Sequence, residues 1–114
     1  MSDEVLSRLS QTLASRRNAD PSTSYTAKLF SKGPDSILKK IGEECAELIM
    51  AAKDGEPKHI VAESADVFYH VMALLAFYGL SIEDVRQELQ RREGVSGIDE
   101  KNARTGMDKG STAS

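Results

Sequence analysis

Residues Ile60 to Tyr78 constrain the fold more than any other stretch. Ile60, Val61, Val67, Phe68, Val71, Met72, Leu74, Leu75, Phe77 and Tyr78 cover most of a helix circumference at roughly 100° per residue. A helix apolar on nearly all sides is buried on more than one side. Yet Glu63, Asp66 and His70 share one narrow face of it. Burying carboxylates costs on the order of several kcal/mol unless something pairs with them.

Around this helix the chain reads as all-α, a small bundle of four to five helices. Val5, Leu6, Leu9 and Leu13 set a first helix from Asp3 to about Arg17, with Ser2 or Asp3 as cap. Asp20-Pro21-Ser22-Thr23-Ser24 and Lys32-Gly33-Pro34-Asp35 are turn clusters. Between them, Tyr25 to Phe30 suits a short helix or an extended segment. The next helix starts after Pro34, capped by Asp35 or Ser36, and runs to about Asp54, where Gly55 and Pro57 stop it. The apolar helix then runs from about Lys58 to Tyr78 and ends at Gly79. Ser81, with Asp84 three residues on, opens another helix to about Arg92. Ile98 to Arg104 suits one or two further helical turns. A single domain over 1–104 is expected, with 105–114, rich in Gly, Ser and Thr, as a mobile tail.

The chemistry concentrates on two helices. Leu38, Ile41, Cys45, Leu48, Ile49 and Ala52 form an apolar stripe on the earlier one, with Glu44 and Glu47 together at its edge. Glu43 lies further round, and Lys40 stands one turn before Glu44. A short connection around Gly55 and Pro57 favours antiparallel packing. The pair Glu44 and Glu47 then faces the pair Glu63 and Asp66. Basic partners are scarce there, and protonation is one alternative. A divalent cation meets the demand best, because converging carboxylates supply the hard oxygen ligands of Mg²⁺ or Mn²⁺. A di-iron centre would use Glu-x-x-His pairs, but the third position after Glu63 is Asp66 and no histidine follows Glu44 at that spacing.

Blander roles fit several of these groups individually. Adjacent glutamates on an amphipathic helix are usually solvated. His70 suits a hydrogen-bonding core histidine, His59 an exposed one, and Cys45 a packing residue without a basic neighbour. The conjunction of two acid pairs on helices that pack together is what points to a site.

The pattern Glu43-Glu44-x-x-Glu47, 15 residues, then Glu63-x-x-Asp66 resembles that of the all-α nucleoside triphosphate pyrophosphatases. Ser24 to Leu29, Lys39 to Glu44, and Arg91 to Ile98 followed by Glu100-Lys101 narrow the resemblance to the phosphoribosyl-ATP pyrophosphatase family of histidine biosynthesis. The resemblance runs from about Val5 to Arg104 and includes no fused cyclohydrolase domain. It implies Mg²⁺-dependent hydrolysis of 1-(5-phosphoribosyl)-ATP to the AMP derivative and pyrophosphate. Glu43, Glu44, Glu47, Glu63 and Asp66 would be catalytic, with the metal on Glu44, Glu47, Glu63 and Asp66. Lys39, Lys40, Ser96, Gly97, Lys101 and Arg104 would meet the substrate. Lys28 and Lys32, with Lys101 and Arg104, are candidates for reaching the phosphoribosyl group.

Two rivals use the same residues differently. A general (deoxy)nucleoside triphosphate pyrophosphatase shares the metal site but not the base pocket. A noncatalytic helical dimerisation module leaves the acids as solvated surface. With 15 basic against 18 acidic residues and a net charge of -3, a nucleic-acid coat is not expected. No run approaches the roughly 18–20 apolar residues of a membrane span. Met1-Ser2-Asp3-Glu4 lacks the features of a signal peptide, and the lone Cys45 cannot form an internal disulfide. A cytoplasmic homodimer is expected, because helix 58–78 is apolar on more sides than so short a chain can cover.

Overall fold

A computed structural model describes residues 2–94, so Ser96, Gly97, Lys101, Arg104, the helical turns expected at 98–104 and the tail 105–114 lie outside the described residues. Five helices and no strand occur among the described residues: α1 (Ser2–Ser15), α2 (Tyr25–Ser31), α3 (Pro34–Asp54), α4 (Pro57–Phe77) and α5 (Ile82–Arg91). The chain divides into two compact units, Met1–Glu83 and Asp84–Ser114.

The first unit holds α1 to α4. Only Gly55 and Glu56 join α3 to α4, which makes the two an αα-hairpin with the most extensive helix packing among the described residues. Gly55 closes α3 at φ 77°, a left-handed conformation that a Cβ would strain, and its N–H bonds the carbonyls of Ala51 and Ala52. Glu56 then caps α4, its carboxylate accepting from the N–H groups of Lys58 and His59. At the far end, Leu80 N–H bonds Leu75 O at 2.8 Å and Gly79 N–H bonds Ala76 O at 3.0 Å, a Schellman closure.

One of two open readings is realised at α2, and the cap of α3 differs from expectation. Tyr25–Ser31 is helical, because Ser24 is extended and its hydroxyl accepts from Ala27 N–H as an N-cap. The cap of α3 is Gly33, not Asp35 or Ser36. Pro34 occupies the first helical position, where its fixed φ suits the helix and its missing N–H costs nothing. The cap therefore falls two residues before Asp35, on a glycine at φ 84°.

Leu13, Leu29, Phe30, Ile37, Met72, Ala73 and Ala76 form the buried core of the first unit, with Leu6, Leu9, Ile41, Tyr69 and Phe77 packed against it. On α3 the inward line is Ile37, Glu44 and Ala51, with Ile41 and Leu48 half-buried. The expected stripe shares Ile41 and Leu48 with this face but is centred roughly 90° further round the helix. Its Leu38, Ile49 and Ala52 are exposed. The correction matters for function. Glu44 is not at the edge of the buried face but in the middle of it.

By length and composition α4 is apolar enough to cross a membrane, which run length alone did not suggest, and little of it is buried within the chain. It packs on α3 and α1 and carries buried His70 with half-buried Glu63. Val61 and Phe68 stay 68% and 61% exposed. In the second unit, α5 continues to Arg91, and Glu88 receives hydrogen bonds from Arg91 and Arg92 at 2.8 to 3.0 Å.

Candidate metal and substrate site

Glu44 sits at the centre of the α3 face turned to α4, and Glu63 and Asp66 sit one turn apart on α4. One carboxylate oxygen from each of the three lies within 4.8 Å of the others. Their exposures are graded: Glu44 is buried, Glu63 half-buried and Asp66 exposed. The cluster therefore opens to solvent on the Asp66 side.

Oε2 of Glu44 and Oε2 of Glu63 are buried and receive no hydrogen bond among the described residues. A buried carboxylate oxygen without a donor is costly, more so beside other carboxylates. Three hard oxygen donors converging on one point, two of them from groups with an unsatisfied buried oxygen, fit a divalent cation. Glu44, Glu63 and Asp66 can hold a metal ion.

Glu47 is exposed and leans on this cluster. Its hydrogen bond with Glu44 is the largest influence on both groups: it holds the Glu44 carboxyl below the usual range and raises that of Glu47. The charges of Glu44 and Glu63 push Glu47 further up. Burial opposes the ionisation of Glu44, while Lys40 favours it.

Lys40 has its ammonium 3.4 Å from Glu44 Oε1 and 3.6 Å from Glu43 Oε1, and the bond to Glu44 raises its own pKa. It steadies the acids. Glu43 is exposed beside it. Across the cluster, His59 Nε2 lies 3.3 Å from Glu63 Oε1 on the exposed flank of α4.

His70 is buried next to the cluster without joining it. Its Nδ1 lies 2.8 Å from Asp66 O and its Nε2 3.0 Å from the Tyr25 hydroxyl. The histidine is a hydrogen-bonding core residue, as its position in the sequence suggested. A neighbouring hydrogen bond between the Thr26 and Tyr69 hydroxyls fastens α2 to α4 a second time.

Beside the acids, between α2 and α3, a cavity of about 310 Å³ is lined by Tyr25, Lys28, Lys32, Ser36, Lys39 and Glu43 among others. Tyr25 and Ser36 were absent from the sequence-derived site. Tyr25 lies within the Ser24 to Leu29 segment that carried the resemblance, whereas Ser36 had no signal beyond its place near a helix start. Of the remaining candidates, Ser96, Gly97, Lys101 and Arg104 are outside the described residues.

Comparison with known proteins gives a consistent result. Residues 6–93 match the family described as phosphoribosyl-ATP pyrophosphohydrolase. The chain is 77% identical over 101 residues to the phosphoribosyl-ATP pyrophosphatase of Dechloromonas aromatica, covering 89% of this chain and 94% of that one. It is 55% identical over 105 residues to the protein of the same name in Bordetella parapertussis, covering 90% and 91%. For the one in Neisseria gonorrhoeae the identity is 53% over 105 residues, covering 92% and 98%.

Proposed function

We propose, because the chain belongs to the phosphoribosyl-ATP pyrophosphohydrolase family, that the α3–α4 acidic cluster hydrolyses 1-(5-phosphoribosyl)-ATP in histidine biosynthesis. Water adds to the α-phosphorus, the α–β phosphoanhydride bond breaks, and the products are phosphoribosyl-AMP and pyrophosphate. The observation that carries the site is the convergence of carboxylate oxygens from Glu44, Glu63 and Asp66, where Glu44 and Glu63 each also keep a buried oxygen with no donor among the described residues.

The reading takes Mg²⁺, with Mn²⁺ as a substitute, held by Glu44, Glu63, Asp66 and Glu47. Bound there, the cation supplies electrostatic stabilisation of the charge on the triphosphate oxygens. Glu47, one turn after Glu44 on α3, would be the fourth ligand. Lys40, 3.4 Å from Glu44 Oε1, favours the ionised form of that carboxylate. Glu43, at the rim of the cavity, is assigned to orienting the attacking water. Lys39, on the same cavity, is assigned to an anionic part of the nucleotide. Ser96, Gly97, Lys101 and Arg104 stay in the proposal as substrate contacts within a catalytic domain of 1–104.

The same reading makes the active form a cytoplasmic homodimer. Its support is the apolar surface left on the hairpin: Ile49 on α3 is 64% exposed, and Val61 and Phe68 share one side of α4. A second copy of the chain is the simplest cover for it.

Incubation with phosphoribosyl-ATP, and separately with ATP and deoxynucleoside triphosphates, tests the function by pyrophosphate release. Magnesium-dependent release with strong preference for phosphoribosyl-ATP is expected. Equal turnover of ATP would move the chain to a general pyrophosphatase, and no release at all would leave the acids without catalysis.

A further inference from the structure

Three cations border the cavity between α2 and α3 without serving the acids. Lys28, Lys32 and Lys39 have no carboxylate within ion-pair distance among the described residues, unlike Lys40. Lys28 on α2 and Lys32 at its C-cap are four residues apart, and Lys39 approaches from α3. In a chain of net charge -3, gathering three unpaired ammonium groups around one opening is unfavourable by itself. The arrangement suits an anion.

Spacing says which anion. Ser36, on the cavity wall, precedes Glu44 by eight residues of α3, or roughly 12 Å of helix at 1.5 Å per residue. A phosphate chain engaged at Glu44, Glu63 and Asp66 cannot at the same time fill that far end. Its near end, by contrast, borders Glu43 and Lys40. A ligand with two separated anionic ends, one at the acids and one among the lysines, matches both. The cavity volume of about 310 Å³ is at the small end for a small-molecule site and suits part of such a ligand rather than a whole nucleotide. Next to it, an open depression shares Tyr25, Lys28 and Lys32 and adds the Ser22 and Thr23 segment, polar surroundings for a sugar.

We propose that the α2–α3 cavity is the seat of a phosphate monoester on a ribose, held by Lys28, Lys32 and Lys39, and that it distinguishes a phosphoribosylated nucleotide from a plain one. The proposal rests on the hydrolase reading for the identity of the ligand, but the lysines and the cavity stand independently of the metal. Lysine serves here as a point charge to phosphate, with no geometric demand beyond proximity.

The test is calorimetric binding in the presence of EDTA, comparing phosphoribosyl-AMP with AMP. The wild type is expected to bind phosphoribosyl-AMP about tenfold or more tightly than AMP. In Lys28→Gln/Lys32→Gln, and separately in Lys39→Gln, that ratio is expected to fall towards one. Lys53→Gln, exposed near the other end of α3, should keep it. Because Lys28, Lys32 and Lys39 are exposed, the variants should retain the wild-type circular dichroism. An unchanged ratio in both lysine variants, or a wild type that binds the two ligands equally, would overturn the subsite. Pyrophosphate release from phosphoribosyl-ATP by the wild type separates the two ideas. Turnover with an unchanged ratio defeats the subsite alone, whereas a lysine-dependent ratio without turnover defeats the hydrolase reading alone.

Discussion

Tyr25 on α2 and His70 on α4 meet through the phenol oxygen and Nε2 at 3.0 Å, the edge of one ring set against the other at 85°. A backbone carbonyl can only accept, so the hydrogen of the neutral imidazole belongs on Nδ1, directed to Asp66 O. Nε2 then accepts from the Tyr25 hydroxyl. This bond ties the wall of the lysine-lined cavity to the helix that carries Glu63 and Asp66.

Tyr25→Phe keeps the ring and removes only the hydroxyl. It leaves Nε2 of a buried imidazole without its donor, a loss of about 1 to 3 kcal/mol. We expect a lower thermal midpoint in metal-free protein, with the helical content of the folded state preserved. Calorimetry checks it, and an unchanged midpoint would show that the bond contributes nothing net.

The acidic cluster makes a prediction with opposite signs in two conditions. Glu44→Gln or Glu63→Gln removes a negative charge from a crowded set of carboxylates. Without metal these variants should be at least as stable as the wild type. Magnesium should raise the wild-type midpoint, since a ligand at 100 times its Kd adds about 2.7 kcal/mol, and the variants should lose most of that rise. Their turnover, and that of Glu47→Gln and Asp66→Asn, should fall by orders of magnitude, each factor of ten corresponding to about 1.4 kcal/mol. Differential scanning with and without magnesium reads the first effect, and pyrophosphate release the second.

Much of this site was legible from residue spacing, and the exception is instructive. The i,i+3 acid pairs and the short Gly55 link fix helices and faces, and Glu44, Glu63 and Asp66 do converge. The inward position of Glu44 was not legible, because α3 carries two apolar lines one residue apart. Ile37, Ile41, Leu48 and Ala51 flank Glu44 on one, and Leu38, Cys45, Ile49 and Ala52 form the other. Periodicity cannot choose between adjacent lines of equal apolarity. Packing chooses, through Ile37, which is 0% exposed against the core that α2 completes. The lysine-lined cavity was illegible for a related reason: it depends on how α2 meets α3, and no period within either helix encodes that.

Acid pH should act on α5 through Glu88. Its guanidinium partners, Arg91 first and then Arg92, hold its carboxyl down to about 2. A pKa depressed in the folded state stabilises above the unfolded value, near 4.5 for Glu, and that contribution is lost as pH falls from there through about 2. The site is at the surface, so salt should weaken the effect. Carboxyl carbon titration by NMR should give a Glu88 midpoint near 2 at low ionic strength, moving towards 4.5 in Arg91→Gln/Arg92→Gln. A wild-type midpoint near 4.5 would contradict the bidentate geometry.

The apolar surface of the hairpin yields the last prediction. Ile49 and Phe68 are 64% and 61% exposed, and each lies on a line of apolar or small residues running along its helix: Leu38, Gly42, Cys45 and Ile49 on α3, and Val61, Ala65 and Phe68 on α4. Fully burying a large apolar side chain is worth roughly 1.5 to 3 kcal/mol, so leaving several uncovered in so short a chain forfeits much of its stability. A charge placed on either line must be desolvated to enter an interface, which the partner's apolar surface cannot offset. Ile49→Glu and Phe68→Glu should therefore shift sedimentation at micromolar concentration from dimer to monomer. Neither residue belongs to the inward core cluster, so the monomers should remain helical by circular dichroism. Magnesium-dependent stabilisation of those monomers would show that one chain can assemble the acid cluster, while its loss would tie the metal site to the pairing of two hairpins. A wild type that sediments as a stable monomer would remove the dimer from the proposal altogether.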